Sequence, residues 1–282
     1  MKDDHPSTTA LGATMIRALH QLIDETPHLL EDPISPLLIG DQAVRQVLAA
    51  PEKHRSLQAR GLRSHIVLRS RYAEDQLRAA VESGVSQFVN LGAGYDTFSA
   101  RQPEWANVVK IVEVDHPASQ AAKIENFKRA GVLFSKNVEF APLDLERGDL
   151  HQGLAKTSLD LMKPIFVACL GVLAYLRPET VRTVFQAVAA LPRGSRLVMA
   201  FAPREKGAEA RVGMSTAESA AAQGEPWHTR FDPTEVRQEL LDCGFSSVAF
   251  LSTEEAARKY YVGRSDLPPP RKVRLCAAEM GA

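Results

Sequence analysis

Apolar and polar positions along this chain follow two periods, and the changes of period mark its elements. Between residues 7 and 23 the apolar side chains Leu11, Met15, Ala18, Leu19 and Leu22 recur at three- and four-residue intervals, one face of an amphipathic helix. Pro33 and Pro36 interrupt the pattern, and a short helix is expected over 41–50, stopped before Pro51. Residues 57–82 read as one long helix carrying Leu62, Ile66, Leu68, Tyr72, Leu77 and Val81. Beyond residue 86 the period shortens. Mostly apolar runs at 88–91, 110–115, 138–142, 164–170 and 196–201 are separated by helical stretches near 118–130 and 179–190. Runs such as Ile165-Phe-Val-Ala-Cys-Leu170 hardly alternate, so they fit parallel strands buried on both faces. Right-handed crossovers then set helices on both sides of the sheet. A helix over 231–243, opened by Asp232-Pro233 and closed by Gly244, and strands at 247–251 and 273–278 complete seven strands of a mostly parallel α/β sheet. Residues 1–85 are expected to be a helical cap belonging to the same domain. Residues 86–282 are expected to be the core, with a lid insertion near 203–230, where periodicity fades.

Composition narrows the function classes. Lysine plus arginine equal aspartate plus glutamate at 34 each, so the charge balance points to neither nucleic acid nor an anionic membrane as a partner. No window offers about 18 uninterrupted apolar residues, and the polar start Met1-Lys-Asp-Asp-His-Pro6 lacks a signal-peptide core. A cytoplasmic location is the expectation. Cys169, Cys243 and Cys276 are widely spaced within apolar runs without a Cys-x-x-Cys pair, which fits buried free thiols and no metal site. The oligomeric state leaves no mark.

The chemistry concentrates in Phe88-Val-Asn-Leu-Gly-Ala-Gly-Tyr-Asp-Thr97, where a strand runs into a two-glycine turn and helical spacing resumes near Thr97. Loops leaving the carboxyl ends of parallel strands open beside helix amino termini, where ligands bind. A dinucleotide fingerprint would need glycine at position 97, and Asp96 would repel a pyrophosphate. An acidic loop suits a cationic nucleoside instead. S-adenosylmethionine is one: it has adenine and ribose, no phosphate, and both a sulfonium and an ammonium. Two further strands end in acid. Asp115 closes the second, near the ~20-residue spacing at which a carboxylate meets ribose hydroxyls, and Asp144 follows the third, placed for the adenine amino group.

Together with Arg69-Ser-Arg-Tyr-Ala-Glu-Asp75, Glu113-Val-Asp-His-Pro117, Asp144-Leu145 and Leu170-Gly-Val-Leu-Ala-Tyr-Leu176, these residues carry a resemblance. From about residue 9 to the end the sequence resembles the leucine carboxyl methyltransferase family, in particular its bacterial branch of S-adenosylmethionine-dependent O-methyltransferases acting on small molecules. The resemblance implies a Rossmann-like methyltransferase core with an amino-terminal helical cap and S-adenosylmethionine as cofactor. By analogy Gly92, Ala93, Gly94, Asp115, Asp144 and Leu145 take cofactor positions. Arg71 resembles the arginine that holds the methionine carboxylate, with Arg69 as the alternative. One departure bears on substrate: relatives that methylate a protein carboxyl terminus carry glutamate where this chain has Leu170.

Methyl transfer mainly requires that reactants be aligned and water excluded, so no strong catalytic dyad is demanded. A carboxylate acceptor is nucleophilic as it stands, whereas a phenol or alcohol benefits from a base. His116 and His228 are the candidate bases, each weighed against a structural role. Tyr175, past the fourth core strand, and Trp227, beside His228, are expected at the acceptor pocket. Leu11 and Met15 would line the cleft if the first helix covers it. Three other readings compete. Protein carboxyl-terminal methylation is disfavoured by Leu170, a non-catalytic binding role by the intact Gly92, Gly94, Asp115 and Asp144, and nicotinamide redox by Asp96 and Thr97.

Overall fold

A computed structural model describes residues 7–204 and 216–281. Its seven strands are β1 (Gln87–Leu91), β2 (Lys110–Asp115), β3 (Val138–Pro142), β4 (Phe166–Cys169), β5 (Arg196–Ala200), β6 (Ser247–Phe250) and β7 (Leu275–Glu279). They form one sheet in the order β3-β2-β1-β4-β5-β7-β6. All neighbours are parallel except β7, which runs antiparallel to β5 and β6. The α/β, mostly parallel seven-stranded expectation therefore holds. Strand order reverses beside β1, with β2 on one side and β4 on the other, and such a reversal opens a crevice at the carboxyl ends of the strands.

Strand residues feed two core layers alternately. Val89 and Leu91 enter one layer with Val112, Val114, Val167 and Cys169, covered by Val184, Phe185 and Val236. Phe88 enters the other with Ile111, Phe166, Ala168 and Val198, covered by Val67, Leu68, Tyr72 and Leu77. Each such side chain contributes about 1.5–3 kcal/mol on burial. The second layer is built on α4 (Leu57–Glu82), the long amino-terminal helix, so the helices before the sheet rest on it through α4. Preceding α4 are α1 (Thr8–Ile23), α2 (Ile34–Ile39) and α3 (Asp41–Ala49). After β2 come α5 (Pro117–Arg129), α6 (Leu150–Ala155), α7 (Pro178–Ala189), α8 (Thr216–Ala222), α9 (Pro233–Asp242) and α10 (Thr253–Tyr260). Within the expected lid, residues 205–215 lie outside the described part, and α8 lies just beyond them.

Three sequence expectations need correction. No α-helix follows the glycine turn; only two 3₁₀ turns, Phe98–Ala100 and Glu104–Ala106, lead to β2. Pro103 has no N–H to extend a helix, and Arg101 is tied back to Glu74 and the Thr97 hydroxyl. The first helix is also turned from its apolar stripe: Thr14, Arg17, Ala18, Leu19 and His20 are buried, while Leu11 is exposed. Lastly, α2, α6 and α10 were not anticipated, because six to eight residues are too short to display a helical period. Among the described residues no helix is long and apolar enough to cross a membrane, and no group of three or more His, Cys, Asp or Glu is placed to hold a metal. Burial pushes the thiols of Cys169 and Cys276 up to about 12.

Candidate active site

Register brings the three predicted strand ends together. Leu91 pairs with Val114, and Asp115 with Pro142, so Gly92, Asp115 and Asp144 leave adjacent strands side by side. Gly92 adopts φ +64°, and a Cβ there would stand 2.2 Å from Val172 Cγ2. Only glycine fits, which fixes the turn against the loop after β4. The Gly92 amide donates to Val114 O at 2.7 Å. Asp115 closes the loop from below: one carboxylate oxygen accepts from the Gly94 amide, the other from the His116 amide at 2.7 Å. Burial raises its pKa, and these amide bonds oppose the shift without cancelling it. Each oxygen keeps acceptor capacity for a ligand hydroxyl. Asp144 accepts from the Glu146 amide at 2.9 Å, and Leu145 packs against the core.

The two candidate arginines separate sharply. Arg71 Nε donates to Asp75 at 2.9 Å and Nη1 to Leu29 O at 3.1 Å, so its fork is already committed away from the loop. Arg69 makes no hydrogen bond or ion pair among the described residues. Its guanidinium lies against Gly171, at φ +74°, where an added Cβ would meet Nη1 at 2.5 Å. Burial and the neighbouring Arg17 pull Arg69 down to about 10, with the Asp96 carboxylate among the groups that oppose the shift. The structure thus favours Arg69 over Arg71 as the arginine facing the crevice.

Beneath the loop lies a charged network that sequence reasoning missed. Arg17 Nε donates to Asp32 at 2.9 Å and Nη2 to Tyr95 O at 2.7 Å, tying α1 to the glycine turn. Arg101 pairs with Glu74 and stands 3.7 Å from Asp32. Burial raises Asp32, but Arg17 and Arg101 outweigh it and hold the carboxyl below its usual value. Burial leaves Glu74 raised despite Arg101. The only signal was a set of charged residues in otherwise packed segments; no spacing links them.

The other predicted residues divide. His116 is the N-cap of α5, its Nδ1 accepting from the Ala118 amide at 3.3 Å, which is the structural role. His228 is exposed, and its backbone amide donates to Ala174 O at 2.7 Å. Trp227 is half-buried under Arg230, with Nε1 enclosed and unpartnered. Tyr175 is half-buried in the 3₁₀ turn after β4. Met15 is half-buried on α1. Leu170 lines a small cavity with Ser70, Glu74, Asn90 and Asp96. Closing the site from above, Glu225 accepts from Ser7 Oγ at 2.9 Å, Thr8 N at 2.6 Å and Thr8 Oγ1 at 2.9 Å, and from the amide and hydroxyl of Thr9. Ala10, one turn into α1, would stand 3.1 Å from a Cβ on Gly94.

A family model described as leucine carboxyl methyltransferase matches residues 10–189, which span α1 through α7 and include every one of these strand-end residues. The chain belongs to the leucine carboxyl methyltransferase family. Within it, the chain is 28% identical to the Bacillus subtilis protein YktD, named "Putative S-adenosyl-L-methionine-dependent methyltransferase", over 94% of this chain and 95% of YktD. It is 31% identical to a Frankia alni protein of the same description, over 70% of this chain and 68% of the relative. Among solved structures, a "putative methyltransferase" from Thermobifida fusca aligns over 100% of this chain and 97% of its own, with a TM-score of 0.56 and 19% identity. That likeness shows a shared fold. For this family member, then, the sheet order agrees with the fold that the sequence resemblance implied.

Proposed function

We propose that the protein transfers a methyl group from S-adenosyl-L-methionine to an oxygen, a carboxylate or hydroxyl, of a small molecule. The observation that carries the reading is Arg69: a half-buried guanidinium without a hydrogen-bond or ion-pair partner among the described residues, set against Gly171 just past the end of β4. A planar fork of this kind matches a carboxylate with two parallel hydrogen bonds, and S-adenosyl-L-methionine has one such carboxylate. The rest of the crevice fits the same molecule. Asp115 has free lone pairs for ribose hydroxyls, the 92–94 turn stands beside it at the end of β1, and Asp144 with Leu145 sits at the neighbouring strand end for an adenine. When bound, the cofactor supplies an electrophilic methyl on a cationic sulfur.

The chain's own part is to bind, align and keep water out. Asp96 is near enough to Arg69 to place negative charge beside a cationic ligand. Arg17 holds the turn through Tyr95 O, and the Glu225 contacts keep α1 over it. Neither candidate base among the described residues is placed as an obligatory one: His116 caps a helix and His228 is exposed. Small-molecule acceptors are favoured by Leu170, where the resemblance gives protein-methylating relatives glutamate, and by α1, which contacts the glycine turn through Arg17 and Ala10. Titration calorimetry with S-adenosyl-L-methionine, S-adenosylhomocysteine and NAD tests the reading. Binding of the first two and not of NAD is expected; NAD binding alone would reverse it.

A further inference from the structure

The stretch of α4 that carries Arg69 presents another basic group without a partner among the described residues, and the residue before β7 brings a third whose Nε is unpartnered there. His65 lies one turn before Arg69, at the i, i+4 spacing that puts both side chains on one face of α4. Arg274 arrives from the sheet side. It immediately precedes β7, and its carbonyl accepts from the Phe201 amide at 3.2 Å, just past the end of β5. His65 makes no hydrogen bond or ion pair among the described residues. Arg274 Nη1 donates only to the carbonyl of its neighbour Val273, at 3.2 Å, and its Nε is buried with no partner. Asp232, the acid that acts on Arg274, is occupied as the N-cap of α9, accepting from Thr234. Burial first, then Arg69 and Arg274, push the His65 imidazole down to about 4. At neutral pH it is therefore uncharged, with one ring N–H to donate.

These groups follow the sheet edge from the end of β4, where Arg69 meets Gly171, to the end of β5. Ligands of open α/β sheets bind outside these strand ends, and buried donors without acceptors are costly to the protein alone. We propose that His65 and Arg274 form the acceptor subsite and recognise an anionic group, carboxylate or phosphate, on the molecule to be methylated. This rests on the reading above, in which Arg69 is occupied by the carboxylate of the methyl donor. The anion is a handle rather than the reacting oxygen. An oxyanion that accepts a methyl group loses its charge on the way to the transition state, so a guanidinium fixed on it would stabilise reactants more than the transition state. Methylation then occurs at a different oxygen of the same acceptor.

Calorimetry on the full chain saturated with S-adenosylhomocysteine tests this, with benzoate and phenyl phosphate as anionic probes and benzamide as the neutral comparator. The parent should bind at least one anion about ten-fold or more tightly than benzamide, and the stronger anion distinguishes carboxylate from phosphate. Arg274→Gln should erase the preference, Arg274→Lys should restore part of it, and His65→Gln should weaken it. S-adenosylhomocysteine affinity should stay within about two-fold in all three. Equal affinity for the three probes, or a preference that survives both Arg274→Gln and His65→Gln, overturns the assignment. Failure of the parent to bind S-adenosylhomocysteine would instead count against the cofactor reading, and the anion preference would then be measured on the protein alone.

Discussion

Two arginines two residues apart on one helix have different fates because positions i and i+2 do not share a face. Arg71 points to Asp75 and the Leu29 carbonyl, whereas Arg69 points to Gly171. The expected consequence is specific: Arg69→Lys keeps the charge but loses the bidentate fork, and should weaken S-adenosyl-L-methionine binding about ten-fold or more. Arg71→Ala should leave that affinity within about two-fold. Calorimetry on the two purified variants decides, and the reverse order would return the role to Arg71. Asp115 offers a second test at this scale. It already accepts from the Gly94 and His116 amides, so Asp115→Ala removes both the brace of the loop and the contact proposed for the ligand. A loss of about 1.5–3 kcal/mol in cofactor binding is expected, as for hydrogen bonds to a charged group. Unchanged affinity would remove Asp115 from the site.

At the scale of elements, the glycine turn and α1 are held by contacts that local sequence does not announce. Gly92→Ala places a methyl group inside the Val172 side chain on a backbone at φ +64°. The turn must then move, and cofactor binding should fall beyond detection in the concentration range that saturates the parent, while far-ultraviolet circular dichroism is retained. The amino end of α1 is clasped by Glu225, where a carboxylate meets backbone amides and hydroxyls at the positive end of the helix. Replacing Glu225 with alanine should free this end by about 1–2 kcal/mol, the scale of a lost cap. Faster amide exchange confined to the first turns of α1 is the readout. Burial opposes the charged form of Glu225, but the hydroxyl and amide bonds of Thr9, Ser7 and Thr8 outweigh it and hold its carboxyl below the ordinary 4.5. Because the folded value is the lower one, the clasp contributes its full stability above 4.5 and loses it only as pH falls through that depressed value. Protection of the α1 amides relative to free-amide exchange at each pH should therefore stay flat from pH 7 until below 4.5; loosening that begins near pH 6 would assign the clasp to another group.

Across the whole molecule, the helices before the sheet and the core are joined by buried charge as well as by apolar packing. Arg17 on α1, Asp32 before α2, Arg101 after β1 and Glu74 on α4 meet beneath the cofactor turn. Arg17→Met would leave Asp32 buried with the Ser35 bonds and with Arg101, at 3.7 Å, as its remaining cation among the described residues, and breaking such a pair from one side costs about 3–5 kcal/mol. Urea unfolding should show that loss in one transition, together with weaker cofactor binding; a loss in cap stability alone would mean that cap and core unfold separately. The sequence by itself determined the sheet, its seven strands, the turn at Gly92 and the strand-end acids Asp115 and Asp144. These follow from short, nearly unalternating apolar runs and from residue types that only a few backbone shapes accept, both properties of neighbouring positions. Only the tertiary structure decided which arginine faces the crevice, that Thr14, Arg17 and His20 rather than Leu11 turn inward, and that Glu225 grips α1 from 216 to 218 residues away. Those outcomes depend on which distant charges and donors arrive at the same place, and a helix's rotation is set by the partner it buries against rather than by its own stripe.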